Sequence, residues 1–324
     1  MAILITGLGY VGSALAQRLL DRGERVIGVE NFFSTPKPAL APLQRADRFT
    51  LIDGSIADRS TLDRAFSIDA VDRVVHLAAQ SSTNPRAAPV EVTQETNFTG
   101  PRIVLEACRQ HGVSQVVFVS SMRLYRTPLP RRLTESSPVE PTDLVHLSQL
   151  YGEMLLTAYA EDCGREHVGG RARCFSGVAL RLGIVHGLSP VMKADPRFLA
   201  APQLFCHQAA RGEPLRVATG PRTSLAFVHI DDAVEALVRS CTGTSLPPIL
   251  NVASEVRSVA SIARAVRDAG RRRGLRVDIR YEGRPSRASS RTVPAHEALG
   301  FRPALRFERS VGPVLDHYLS TSRV

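Results

Sequence analysis

An apolar run, AILITG, meets an amphipathic run, GSALAQRLLDRG, through a turn that holds Gly7, Gly9 and Gly12 in the stretch TGLGYVGSAL. No other feature narrows the possible folds as far. Glycine at the first point permits a tight turn, at the second a close approach of backbone to a pyrophosphate, and at the third close packing of helix on strand. The helix that follows presents free N–H groups and the positive end of its dipole to any phosphate. A second apolar run, RVIGVE, ends at Glu30, where a carboxylate can accept hydrogen bonds from adenosine ribose hydroxyls. Glu30 would repel a 2′-phosphate, so NAD(H) is favoured, although a nearby arginine could still admit NADP(H). The expected cofactor is written NAD(P)H for that reason.

Strand-like and helix-like runs alternate through the first half: RFTLIDGSI, TLDRAFSI, VDRVVHLAA, the long helical VTQETNFTGPRIVLEACRQHG, and QVVFVSS. This alternation predicts an α/β chain with a Rossmann-type, doubly wound parallel sheet covered on both faces. After GVALRLGIV at 177–185, proline-rich loops and short helices take over, and LAFVHIDDAVEALVRS and ILNVAS read as returns to the main sheet. The tail offers a helix in VASIARAVRDAG, a strand in RVDIRYEG and a closing helix. The expected division is a dinucleotide-binding domain of 1–180 and 227–253 with a smaller substrate-binding lobe of 181–226 and 254–324.

A net charge of +10 invites a nucleic-acid partner. Against that, only Lys37 and Lys193 are lysines, so the basicity is almost all arginine, a bias that GC-rich coding produces without a ligand. The densest run, RRRG at 271–274, reads as a solvated helix end. No nucleic-acid partner is expected. Nor is a membrane, because no apolar run approaches the ~20 residues that span one. Cys108, Cys163, Cys174, Cys206 and Cys241 are scattered without metal-ligand or redox spacing, so they read as reduced thiols with no metal. Met1 runs straight into AILITG without a basic leader, and a cytoplasmic monomer or homodimer acting on a small-molecule substrate is expected.

Further markers then follow in a fixed order: VVHLAAQ, TNFTG, FVSSMRLY, ALRLGIVHG, FVHIDDAVEAL and LNVAS. Over essentially the whole chain this order resembles the extended short-chain dehydrogenase/reductase family, best known for NAD-dependent epimerases and dehydratases of nucleotide sugars. The resemblance implies a cofactor site of Gly7, Gly9, Tyr10, Val11, Gly12, Glu30, Asn31, Ser55, Ile56, Leu77, Ala78, Ala79, Gln80, Val119, Gln149, Gly183 and Ile184. It implies a substrate site of Ser121, Met122, Arg123, Val145, His146, Ile184 and His186, with Ser121 as the catalytic residue and Asn97 as a structural one.

The chain also departs from the family. Sliding LVHLSQLYGE onto the family's Tyr-x-x-Ser-Lys keeps Ser148, Gly152 and Glu153, but puts Val145 at the tyrosine and Gln149 at the lysine. A helix advances about 100° per residue, so Tyr151 lies roughly 240° around from position 145 and is no substitute. Ser121 either polarises a carbonyl or satisfies local backbone; His146 either reaches the cleft edge or faces water. Met122 and Arg123 replace the Asp-Glu pair of the dehydratases, which argues against dehydration. Ile184, His186 and Leu188 replace sugar-site residues, while Arg284 in GRPS matches a family arginine near the diphosphate. The phosphate loop is one residue short, and Ser55 stands for an aspartate that faces adenine. The cofactor site therefore reads as retained and the sugar site as an apolar, remodelled pocket. The activity expected is an NAD(P)H-dependent ketoreductase of an aromatic polyketide-like ketone, its proton coming from the substrate or water. The missing pair and arginine-rich composition are similar to the atypical ketoreductases of angucyclinone tailoring. The alternatives are a nucleotide-sugar epimerase with a relocated acid and a non-catalytic dinucleotide-binding sensor or scaffold.

Overall fold

The computed structural model describes residues 1–324 apart from 85, 86, 88, 127, 128, 130–132, 163–165, 168, 169, 172, 173, 218–223, 244, 283–296, 323 and 324. The apolar runs of the first half become strands β1 (Ala2–Thr6), β2 (Arg25–Glu30), β3 (Phe49–Asp53), β4 (Val71–His76), β5 (Gln115–Ser121) and β6 (Ser176–Leu182). Every residue of β1 is buried, as is every residue of β2 after Arg25. That is the pattern of strands covered on both faces. Along the sheet the order is Ile249–Val252, β6, β5, β4, β1, β2, β3, with every neighbouring pair parallel.

Successive side chains of a strand point to opposite faces, so each strand feeds two cores. Val75 and Val117 pack with Leu15 and Leu19 of α1 (Tyr10–Asp21) and with Ala233 and Leu237 of a helix at Ile230–Thr242. Val74 and Val116 pack on the other face with Leu62 and Phe66 of α2 (Arg59–Ile68), Val104 and Cys108 of α3 (Gly100–His111), and Leu156 of α4 (Leu144–Glu161). Fully burying one such leucine contributes about 1.5–3 kcal/mol. Helix ends follow local chemistry. The chain leaves α1 through Gly23 (φ +80°) and α3 through Gly112 (φ +70°), while the carboxylates of Asp58 and Asp143 accept the Ser60 and His146 N–H groups at the starts of α2 and α4. The long helix expected before β5 is broken by a π-helical turn, Glu95–Thr99, which carries Asn97.

The strand read at 177–185 divides at Gly183. Its N–H donates to Val252 O (2.8 Å) in the main sheet, whereas the next residues form β7 (Ile184–His186) and pair with β8 (Ser224–His229). A Cβ at Gly183 would lie 3.0 Å from the Ala226 and Phe227 backbone, so any larger residue would have to push that backbone aside where the two sheets diverge. This corrects the expectation for LAFVH: β8 joins the three-stranded sheet β10 (Glu255–Ser258), β8, β7. β9 (Ile249–Val252), by contrast, does return to the main sheet beside β6. A separate core forms among α5 (Ala201–Ala210), α7 (Val259–Arg271) and α8 (Phe307–Thr321), the helix Ile230–Thr242 being α6. Cys108, Cys206 and Cys241 are buried free thiols, but Cys174 is disulfide-bonded, which corrects the reading of five reduced cysteines. Among the described residues no helix is long and apolar enough to cross a membrane, and no cluster of His, Cys, Asp and Glu could hold a metal ion.

Candidate active site

Strand order reverses between β1 and β4, and a crevice opens there beyond the carboxyl ends of the strands. The cleft measures about 1040 Å³. At its floor Gly7 takes φ +84°, and a Cβ there would lie 2.6 Å from Ala78 N. A Cβ at Gly12 would sit 1.9 Å from Gly7 O, whereas at Gly9 the nearest atom is Thr35 Oγ1 at 3.6 Å. The loop is thus closed on two sides and open at Gly9. The start of α1 has neither a side-chain cap nor an acidic residue in its first turn, so its N–H groups face the cleft without a competing anion. These features fit a dinucleotide pyrophosphate.

Glu30 is buried and already engaged. The Leu8 N–H donates to Oε2 (2.8 Å) and the Phe32 N–H to Oε1 (2.9 Å), which ties the glycine loop to the end of β2 and holds Phe32 at φ +58°. Burial pushes the carboxyl above its ordinary pKa, and the N–H donors hold it down. The Asn31 N–H and the Thr35 side chain also hydrogen-bond to it, so the carboxylate is anchored on the cleft wall where a ribose hydroxyl would meet it. Asn31 also lines the cleft, its Oδ1 accepting from Phe33 N–H at 3.1 Å. Tyr10, Val11, Ile56, Leu77, Ala78, Ala79, Gln80, Val119, Gln149, Gly183 and Ile184 stand on the same wall. Ser55 does not. Its Oγ accepts from Ala57 N–H (3.2 Å) within its own turn, while Gly54 and Ile56 on either side face the cleft. Asn97 is a brace: its Oδ1 accepts from Gln80 N–H (2.8 Å), and its Nδ2 bonds Gln80 O and Ser148 Oγ (2.9 Å each).

The proton-bearing groups are few. Val145 is buried on the cleft wall and Gln149 stands one turn further along α4, with its Oε1 buried and unpartnered. Two phenols reach the wall. Tyr10 donates to Gly187 O (2.7 Å) and Tyr125 to Asn251 Oδ1 (2.7 Å), and burial raises the pKa of both. Tyr125 also accepts from Arg181 (2.8 Å), whose guanidinium pairs with Glu153 at 2.6 and 2.8 Å. Glu153 in turn accepts from Ser120 Oγ at 2.5 Å. Ser120 and Tyr125 of this network line the cleft together with Ser121. Ser121 Oγ accepts the Arg123 N–H (3.2 Å) at the start of a 3-10 turn, which leaves its own proton free to donate into the cleft.

His146 turns inward. It is 5% exposed, its Nδ1 lies 3.0 Å from Asp143 Oδ2, and its Nε2 is buried without a partner on the cleft wall. Burial, and then the charge of Arg123, lower its pKa, so the ring is neutral near pH 7. Met122, Arg123 and Ile184 line the same end. His186 does not, which corrects its assignment to the substrate site. It is 1% exposed, bonded to Ser310 Oγ (2.8 Å) and set edge-on to His229 and Phe307. Burial pushes its pKa down to about 3. Leu188 is exposed and away from the cleft, and Arg284 lies outside the described residues. The lobe adds residues that sequence reasoning missed, among them Lys193, Phe198, Leu199 and Leu225. Of these only Lys193 carried a signal, as one of two lysines.

Fold and cleft together define a Rossmann-type dinucleotide-binding protein. More narrowly, the chain belongs to the NAD dependent epimerase/dehydratase family, whose model matches residues 3–253. It is 30% identical over 319 residues to a dTDP-4-dehydro-6-deoxy-D-allose reductase of Streptomyces bikiniensis, covering 93% of this chain and 91% of that protein. It is 27% identical over 318 residues to an uncharacterized UDP-glucose epimerase, YtcB, of Bacillus subtilis, covering 94% and 93%. The match to UDP-glucose 4-epimerase of Erwinia amylovora, at 31% identity, takes in 50% of this chain and 49% of that protein. The structure of Thermus thermophilus UDP-glucose 4-epimerase in complex with NAD superposes with a TM-score of 0.79 at 25% identity, over 98% of this chain and 99% of that one.

Proposed function

We propose that the protein is an NAD(P)H-dependent ketoreductase of a small-molecule ketone, of aromatic-polyketide type, whose proton comes from a hydroxyl beside the ketone or from water. The observation that supports it is the state of the two cleft phenols. Tyr10 and Tyr125 have their hydroxyl protons committed to Gly187 O and Asn251 Oδ1, while Val145 and Gln149 occupy the expected acid and lysine positions. Bound in the cleft, the dinucleotide supplies a hydride. Gln149 Oε1 accepts from a ribose hydroxyl, Ser121 Oγ–H donates to the ketone oxygen, and Met122, Val145 and Ile184 keep water from that face. A missing general acid costs about 10²–10⁴-fold. An internal hydrogen bond from a neighbouring phenol offsets part of this, because the ketone oxygen is already polarised.

The direction of reaction also matters. Reduction ends in an alkoxide that water or a phenol can protonate, whereas an epimerase begins by oxidising a poorly acidic hydroxyl and needs a base. A second reading, a nucleotide-sugar epimerase with a relocated acid–base group, is supported by the nucleotide-sugar names of the full-length relatives. His146 Nε2 would then be that base. The test mixes purified protein with NADH or NADPH and aromatic ketones with and without an adjacent hydroxyl, following absorbance at 340 nm, beside UDP-glucose followed by chromatography. Reduction confined to the hydroxylated ketones is expected. Interconversion of UDP-glucose with no ketone reduction would replace this reading by the second, and inactivity in both arms with tight NADH binding would leave a sensor.

A further inference from the structure

Among the described cations on the cleft wall, Lys193 stands apart. Arg126 is paired with Glu140 (3.1 Å), Arg197 with Asp195 (2.6 Å) and Arg216 with Glu282 (3.2 Å), and Arg123 faces the charge of Asp143. Lys193 has no carboxylate partner among the described residues. Its ammonium donates one hydrogen bond, to Phe198 O at 3.3 Å, and two of its three N–H groups are left over. It is also held in place rather than trailing on the surface. Val191 and Met192 anchor the preceding chain in apolar cores, and Tyr318 of α8 donates to the Lys193 carbonyl at 3.0 Å. Burial lowers its pKa, and no neighbouring charge contributes to that shift. The other lysine, Lys37, has a side chain 67% exposed and is paired with Asp53.

A partly desolvated ammonium without a counter-ion is costly unless a ligand supplies the negative charge. Lysine serves as a compact point charge for oxyanions. The dinucleotide pyrophosphate already has its own partner in the uncapped start of α1, on the opposite domain. We infer that Lys193 is a binding residue for an anionic oxygen group carried by the substrate, a phosphate, carboxylate or phenolate held at the lobe side of the cleft. This deepens the proposed function, since it rests on a substrate entering that cleft, but it concerns binding and its test needs no turnover.

Because the chain has two lysines, acetylation by an amine-reactive ester followed by peptide mass spectrometry reads Lys193 against Lys37 as an internal control. The full-length protein is saturated with NADH and challenged with inorganic pyrophosphate, UDP-glucose, salicylate and neutral 2′-hydroxyacetophenone. At least one anionic probe is expected to shield Lys193 several-fold while Lys37 is unchanged and the neutral probe does nothing. Pyrophosphate and UDP-glucose mark a phosphate, and salicylate a carboxylate or phenolate. In titration calorimetry the shielding probe should bind Lys193→Met about 10-fold or more weakly, as expected for a lost charged hydrogen bond, with Lys193→Arg restoring much of the affinity. Shielding of Lys193 by NADH alone, or no shielding by any anionic probe, overturns the inference.

Discussion

Replacing Tyr125 by Phe separates a structural phenol from a catalytic one. The hydroxyl holds two buried partners, Asn251 Oδ1 at 2.7 Å and Arg181 at 2.8 Å. Its loss leaves Asn251 Oδ1 without a donor, in a side chain whose Nδ2 already has no partner and whose residue is fully buried. An orphaned buried acceptor costs about 1–3 kcal/mol. Arg181 suffers less, because it keeps both oxygens of Glu153 and the Glu135 carbonyl. The expected destabilisation is therefore about 2–3 kcal/mol, read by urea unfolding. Turnover at 340 nm, measured well below the unfolding midpoint, should stay within about 3-fold of the parent, since a general acid would be worth ~10²–10⁴-fold. A Tyr125→Phe protein that stays folded and loses turnover by 10²-fold or more, as an acid's removal would cause, would make Tyr125 the proton donor and refute the mechanism.

Three further outcomes can be checked. Gln149→Ala should mainly weaken NADH binding and Ser121→Ala should slow turnover modestly, whereas methylating the hydroxyl beside the ketone should slow reduction far more; normal reduction of the methylated ketone together with an inactive Ser121→Ala or His146→Ala enzyme would place the acid on the protein. Glu30→Ala strands the Leu8 and Phe32 N–H groups, each at about 1–3 kcal/mol, so both stability and NADH affinity should fall; unchanged NADH affinity in calorimetry would remove Glu30 from the cofactor site. Burial lowers the folded-state pKa of His76 to about 4 and of His186 to about 3, below the ordinary 6.5, so stability should be lost as pH falls from about 6.5. The unfolded chain takes up protons that the folded one refuses, at up to about 1.4 kcal/mol per pH unit per histidine, and a flat urea midpoint between pH 6.5 and 4.5 would contradict this.

Local chemistry carried the parts of this protein that are legible in one dimension. Continuous apolar runs such as AILIT and VIGVE have to be covered on both faces, which selects a parallel sheet, and Gly7 and Gly12 stand where any Cβ would strike backbone. The absence of a Tyr-x-x-x-Lys pair is likewise a property of the string of residues. Tertiary structure decided what depends on distant partners. Apolar pattern alone cannot distinguish two sheets that both need covering, so LAFVH was free to join either until Gly183 let β7 peel away against it. Helical spacing places His146 at an angle but does not say that Asp143 and burial turn it inward, and family position puts His186 in the cleft although Ser310 and Phe307 hold it elsewhere. Whether Tyr125 keeps its proton for chemistry is set by Asn251, 126 residues away. Lys193 is a cleft residue only because a loop of the lobe folds back over the first domain, where Phe33 meets Phe198 and Ser82 bonds Arg197 O. Ionisation and hydrogen bonding answer to neighbours in space, and those neighbours exist only once the chain has closed on itself.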